Sequence, residues 1–229
     1  MNEANASLDL SQKWPNFVVI EGPIGVGKTT LAKKLSRSFE SDLLLEDADE
    51  NPFLGKFYEN PRAAALPTQL YFLLQRARQL KKMKQEDMFS PVRVADFLIE
   101  KDRLFAELTL DQDELDLYEQ VYSSLTFDVP RPDLVVYLQA PVEVLLDRIQ
   151  KRGLSHEQLI EAAYLERLSE AYVSFFYQYN EAPLLIVNAA DIDFANKEED
   201  YQLLLERILA NRSGRHYFNP SSVIMQELE

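Results

Sequence analysis

The chain contains no cysteine and only two histidines, His156 and His216. Disulfides, thiol nucleophiles, cysteine-held metals and histidine-rich metal centres are therefore excluded. No apolar run approaches the roughly 18 residues of a membrane span. The first ten residues are polar, without a basic start, so a secretory signal is not expected and the cytoplasm is the default location. Positive charge is scarce: 24 Lys and Arg stand against 38 Asp and Glu, a formal net charge of −14. Such a chain repels nucleic acid and anionic lipid at long range, so neither is expected as a partner. A ligand bearing several phosphates then needs a local basic pocket, and a neutral small acceptor is not penalised.

Glycine is also sparse, six in 229 residues, yet three of the six lie at positions 22, 25 and 27. They belong to Gly22-Pro23-Ile24-Gly25-Val26-Gly27-Lys28-Thr29, the G-x-x-x-x-G-K-[ST] pattern of phosphate-binding loops, followed by Thr30. The flanks suit it. Phe17–Ile20 is short, apolar and β-branched, as a buried strand is, while Leu31 and Leu35 lie four apart on one helical face. Glycines let backbone N–H groups curl around phosphate oxygens, and the helix N-terminus adds positive potential. Lys28 would reach the β- and γ-phosphates, and the Thr29 hydroxyl would ligate Mg²⁺. ATP and Mg²⁺ are the ligands this segment calls for.

Five nearly continuous apolar segments read as strands buried on both faces: Phe17–Ile20, Leu43–Leu45, Val92–Ala95, Leu134–Leu138 and Leu184–Val187. Helical patterns alternate with them: Lys28–Phe39, Pro67–Lys84, Lys101–Tyr122 with a break near Thr109-Leu110-Asp111, Pro141–Lys151 with proline at its first position, Glu157–Tyr179 and Asp200–Asn211. This alternation predicts a three-layer α/β fold around a central five-stranded parallel sheet. One domain is expected over residues 16–211, with an N-terminal extension, 1–15, and a C-terminal tail, 212–229, whose composition leaves docking and disorder both open.

Ligands of such sheets sit at the carboxyl ends of the strands. Glu21, Glu46 and Asp96 end three of the expected strands. Glu46 is a candidate base for a substrate hydroxyl, against the alternative of a solvated carboxylate in an acidic run. Asp96 is a candidate organiser of Mg²⁺, against the alternative of a helix cap. Gln69 and Arg76, seven apart, share one face of the long helix, and a glutamine amide can pair with a base edge. Arg148 and Arg152, four apart and followed by Gly153, can clamp a transferring phosphoryl group from a closing segment, or can simply end a helix whose dipole favours them. His156 reads as a polar loop residue.

Together these positions resemble the deoxyribonucleoside kinase family, over about Phe17 to Phe194. The residues carrying the resemblance are Glu21 to Thr30, Glu46 after the second strand, Tyr58 eleven residues before Gln69, Arg76 seven after it, and Arg148-Ile149-Gln150-Lys151-Arg152-Gly153 with Glu157-Gln158 following. The resemblance implies a P-loop kinase fold and ATP-dependent phosphorylation of a deoxynucleoside 5′-hydroxyl. It implies Glu46 as base, Gln69 and Arg76 at the nucleobase, Asp102 supporting that pocket, Tyr58 and Glu157 at the sugar 3′-hydroxyl, and a helix-packed homodimer. The strings Pro67–Phe72 and Asp96–Arg103 look like a bacterial branch described as deoxyadenosine or deoxyguanosine kinases. Two departures stand out. The family's Glu/Asp-Arg-Ser after strand three is Asp96-Phe97-Leu98 here, and a further lid arginine is Leu154. Either Arg103 or a lid arginine is expected to replace the charge missing at Phe97, or catalysis is expected to be weaker.

Three other readings compete. A thymidylate-type monophosphate kinase usually carries Asp-Arg where Asp96-Phe97 stands. A regulatory GTPase needs Asp-x-x-Gly and Asn-Lys-x-Asp, but no glycine here has aspartate three residues before it, and Asn196-Lys197-Glu198-Glu199 lacks the final aspartate. A degenerate kinase kept as a nucleotide-binding interaction protein is the third.

Overall fold

The computed structural model describes residues 15–85, 93–125, 130–211 and 213–220. Its centre is a parallel sheet in the order β2-β3-β1-β4-β5-β6, flanked by helices. The strands are β1 (Phe17–Glu21), β2 (Asp42–Leu44), β3 (Arg93–Ala95), β4 (Leu134–Gln139), β5 (Leu184–Asn188) and β6 (Arg215–Phe218). Strand β1 is central: Val18 lies opposite Val94 on one side and Leu134 on the other. The strands on its two sides follow it in separate halves of the chain, so its carboxyl end lies where the strand order turns, the usual position of a ligand crevice.

The sheet therefore has six strands rather than the expected five. Arg215-His216-Tyr217-Phe218 pairs with Leu184–Val187, and three of its four residues are exposed. An edge strand of this kind needs no continuous apolar run, which is why a search for doubly buried strands passes over it. Its docking carries the ordered sheet beyond residue 211. Val92, which opens the third expected strand, lies outside the described residues, as do residues 1–14 of the extension and 221–229 of the tail.

Helix α1 (Lys28–Phe39) starts at the phosphate-loop lysine and buries Leu31, Ala32, Leu35 and Phe39. The expected helix from Pro67 begins earlier: after α2 (Leu54–Glu59), α3 runs Pro61–Gln85 with Pro67 inside it. Proline at that point forfeits one backbone hydrogen bond, while the helix's first turns bury Ala64 and Ala65 against Leu54 and Phe57. The expected break near Thr109 is present: α4 (Lys101–Thr109) ends, and α5 (Gln112–Ser124) begins with Asp111 and Glu114 forming a reciprocal capping box. Pro141 sits one residue earlier than expected, as the N-cap of α6 (Val142–Arg152). The segment expected as one helix from Glu157 to Tyr179 is divided into a 3₁₀ turn, Glu157–Leu159, and α7 (Ala162–Gln178), because Ile160 and Glu161 are extended. Helix α8 (Glu198–Ala210) precedes β6.

The main core is built from β1, β4 and β5 with α1, α6, α7 and α8. A second apolar cluster joins Leu73 and Leu80 of α3 to Phe97, Ile99, Ala106 and Tyr118. It fixes α3 to α4 and α5, and so sets one wall of the site.

Candidate active site

The loop between β1 and α1 folds as a cradle. Gly22, Gly25 and Gly27 all have positive φ. A side chain on Gly22 would drive into the Leu138 carbonyl, and one on Gly25 would meet the Leu145 carbonyl, so only glycine fits at either. Lys28 donates to the carbonyls of Gly22 (2.7 Å) and Pro23 (3.2 Å), with its ammonium curled back over the loop. Burial, followed by the positive charge of Lys101, pulls the Lys28 pKa down to about 8. This half-buried cation facing open space is suited to phosphate oxygens. Thr30 lines the donor-side cavity beside Gly25, Val26, Gly27, Arg148 and Arg152, opposite Ile192–Asn196 of the loop after β5. Ile24 faces the other cavity, on the acceptor side.

Asp96, just after β3, links three elements. Its carboxylate accepts from the Thr29 hydroxyl at 2.6 Å and from the Glu46 backbone N–H at 2.7 Å. Burial raises its pKa, with those hydrogen bonds opposing. An alcohol and a carboxylate in contact are hard oxygen donors, a pair that would suit Mg²⁺. Among the described residues no cluster of three or more His, Cys, Asp or Glu is placed to hold a metal.

The acceptor cavity is lined by Glu46, Tyr58, Gln69, Arg76, Asp96, Lys101, Arg152 and Glu157, with Phe57, Phe72, Phe105 and Tyr164 as apolar walls. Arg76 is buried and forms ion pairs with both Asp102 and Glu46. Burial pushes the Glu46 carboxyl up, but Arg76, Lys101 and Lys28 outweigh it and hold it at about 2. Gln69 donates from Nε2 to the Thr109 hydroxyl (3.2 Å), whose own proton goes to the Phe105 carbonyl (2.7 Å). Thr109 can then only accept from the amide, so the Gln69 carbonyl must face away from it. Tyr58 lies parallel to His156 with ring centroids 6.4 Å apart, and burial raises its phenol pKa. Glu157 is paired with Arg152. Arg148 donates to the carbonyls of Val26 (3.1 Å) and Ala189 (2.7 Å), joining the phosphate loop to the loop after β5.

Every site residue singled out in the sequence thus faces one of two adjoining cavities or, like Asp102, pairs with one that does. Of the two expected replacements for the charge missing at Phe97, the lid arginines Arg148 and Arg152 line these cavities and Arg103 does not. Arg103 is exposed, paired with Glu119 at 2.7 Å and set over the Tyr122 ring, and it lines neither cavity. A further cation facing the site is Lys101, which the sequence reading missed. The apolar walls and Ile192–Asn196 were missed as well. Lys101 had one signal: a cation at the first position of a helix, where the dipole disfavours it. The walls had none, because an aromatic residue on a helix reads equally well as core.

The sequence model of a family described as deoxynucleoside kinase matches residues 18–212. The chain is 38% identical over 201 residues to a deoxyguanosine kinase of Bacillus subtilis (strain 168), covering 85% of this chain and 95% of that one. It is 29% identical over 201 residues to a deoxyadenosine/deoxycytidine kinase of the same organism, covering 84% and 91%. Among solved structures, a deoxyadenosine kinase from M. mycoides with the products dCMP and dCDP bound superposes with a TM-score of 0.75 at 26% identity, covering 85% of this chain and 99% of that one.

Proposed function

The chain belongs to the deoxynucleoside kinase family, and we propose that it transfers the γ-phosphoryl group of ATP to the 5′-hydroxyl of a purine deoxynucleoside, deoxyguanosine or deoxyadenosine, in nucleotide salvage. The observation that carries this reading is the pair of adjoining cavities: a glycine cradle with Lys28 on one side, and on the other a half-apolar pocket whose polar groups suit a neutral sugar and base. A monophosphate acceptor would need free cations deep in that second pocket. There, Arg76 is already paired with Asp102 and Glu46, Lys101 with Glu21 and Glu46, and Arg152 with Glu157.

In this reading the base stacks among Phe72, Phe105 and Tyr164 and pairs with the Gln69 amide, oriented by Thr109. Arg76 and Asp102 close the base end. Tyr58 and Glu157 reach the 3′-hydroxyl. Glu46 receives the 5′-hydroxyl. With its pKa held near 2 it is ionised at every working pH, so it orients the hydroxyl and takes its proton late, once the oxygen has begun to bond phosphorus. Thr29 and Asp96 would hold Mg²⁺, which, when bound, neutralises charge on the β- and γ-phosphates. Arg148 and Arg152 form the closing segment over the phosphates. The bond from the 5′-oxygen to the γ-phosphorus forms as the bond from that phosphorus to the β–γ bridging oxygen breaks, and ADP leaves with the electron pair. A single kinase domain, expected over residues 16–211 and extended by β6 to residue 218, a cytoplasmic location and a homodimer complete the reading. The matched span 18–212 supports the first. Exposed Val173 and Tyr177 on α7 and Leu117 on α5 support the last.

The test is a phosphorylation screen of the four deoxynucleosides, their ribonucleoside counterparts and the monophosphates, with ATP and GTP as donors. Deoxyguanosine or deoxyadenosine should give the highest kcat/KM. Preference for any monophosphate would refute the proposal.

A further inference from the structure

Lys101 is 2% exposed and opens helix α4, where the helix dipole opposes a cation. Two unfavourable terms, burial and dipole, act on one ammonium, so the surrounding structure must hold it there. Glu21, wholly buried at the end of β1, does so: its carboxylate lies 3.2 Å from Lys101 Nζ. Glu21 is itself fixed by the backbone N–H groups of Leu98 (2.6 Å) and Gly22 (3.0 Å) and by the Tyr172 hydroxyl (3.1 Å). The same Nζ lies 3.4 Å from Glu46 Oε2, a loose contact beside a tighter anchor. Lys101 lines the cavity with Lys28, Thr29 and Asp96, and its charge is felt by Lys28. Two ammoniums therefore face the same space, Lys28 from the cradle and Lys101 from the acceptor side.

We propose that Lys101 is a catalytic residue that stabilises the transferring phosphoryl group from the acceptor side. Anchored on Glu21, its Nζ swings from Glu46 to the equatorial oxygens as the bond from the 5′-oxygen to the γ-phosphorus forms and the bond from that phosphorus to the bridging oxygen breaks. ADP departs with the electron pair, and the hydroxyl proton passes to the Glu46 carboxylate that Lys101 has released. The transferring group is thus held between two lysines, and its developing charge is met without water. Phe97, next to Asp96, is packed in the apolar cluster with Leu73 and Tyr118 and takes no part.

The inference rests on the kinase reading, and the two fail separately: an inactive parent protein refutes the reading, whereas an active parent with an active Lys101→Met refutes only the lysine's role. Lys101→Met should lower kcat by about 10²-fold or more while ATP affinity, measured by direct binding, stays within about threefold. Lys101→Arg should keep at least about a tenth of parental kcat, since the charge remains. Because the chain has no cysteine, Lys101→Cys can be alkylated at that position alone. Treatment with 2-bromoethylamine restores an ammonium at lysine length and should recover turnover, whereas 1-iodopropane, equal in length and uncharged, should not. Recovery with both reagents, or with neither, would show that Lys101 fills space or holds the fold, and so would loss of ATP binding in parallel with turnover in every variant.

Discussion

Glu46 stands among three cations, Arg76, Lys101 and Lys28, and at the residue scale this decides what kind of base it can be. A carboxyl held near 2 is a weak proton acceptor at rest. Glu46→Gln should lower kcat by about 10²- to 10⁴-fold and leave ATP binding within a factor of about three; an unchanged kcat would remove Glu46 from the mechanism. The same residue couples stability to pH. Its pKa in the fold lies below the ordinary 4.5, so its contribution is fully present above about pH 4.5 and is lost as pH falls towards 2. Melting temperature should therefore fall more steeply between pH 5 and 3 in the parent than in Glu46→Gln. Parallel curves for the two proteins would show that Glu46 is not the group responsible.

At the scale of elements, the proposed base recognition depends on how α3 meets α4. Gln69 comes from α3 and Thr109 from the last turn of α4, and the Phe105 carbonyl one turn earlier commits the threonine proton. The break after Thr109, with Asp111 capping α5, is what leaves that hydroxyl at a helix end. Thr109→Val keeps the shape and removes the acceptor. The Gln69 amide then loses its fixed orientation, worth about 1 kcal/mol. The ratio of kcat/KM between the best and second-best deoxynucleoside should fall by about fivefold, with kcat on the best substrate little changed. An unaltered ratio would mean that the orientation of Gln69 is set elsewhere. The β5–α8 connection plays the corresponding part for the donor, where Arg148 ties the Ala189 carbonyl to the phosphate loop.

For the whole molecule, the net charge of −14 and the concentration of buried cations in one place are two sides of one design. Arg76 and Lys101 are buried and Lys28 is half-buried around the crevice at β1, so an acidic surface surrounds a locally basic interior. Sedimentation equilibrium should give twice the 26.5 kDa chain mass if α5 and α7 pack against a second copy; a single-chain mass across the micromolar range would count against the homodimer. The sequence by itself determined the glycine loop and the strand and helix on either side of it. The phosphate loop is local, its function residing in seven or eight consecutive residues and the helix they start, and the doubly buried strands announce themselves by composition. The acceptor residues Glu46, Tyr58, Gln69, Arg76 and Glu157 were reached through spacing and resemblance, not through local chemistry. Only the tertiary structure decided that an exposed edge segment becomes β6, that Arg103 faces outward to Glu119, and that Lys101 turns inward to Glu21 and Glu46. Those outcomes depend on which face of α4 meets the sheet, a matter of long-range packing. Two cations two residues apart in one helix look alike in sequence, and only the fold gives one of them to solvent and the other to the site.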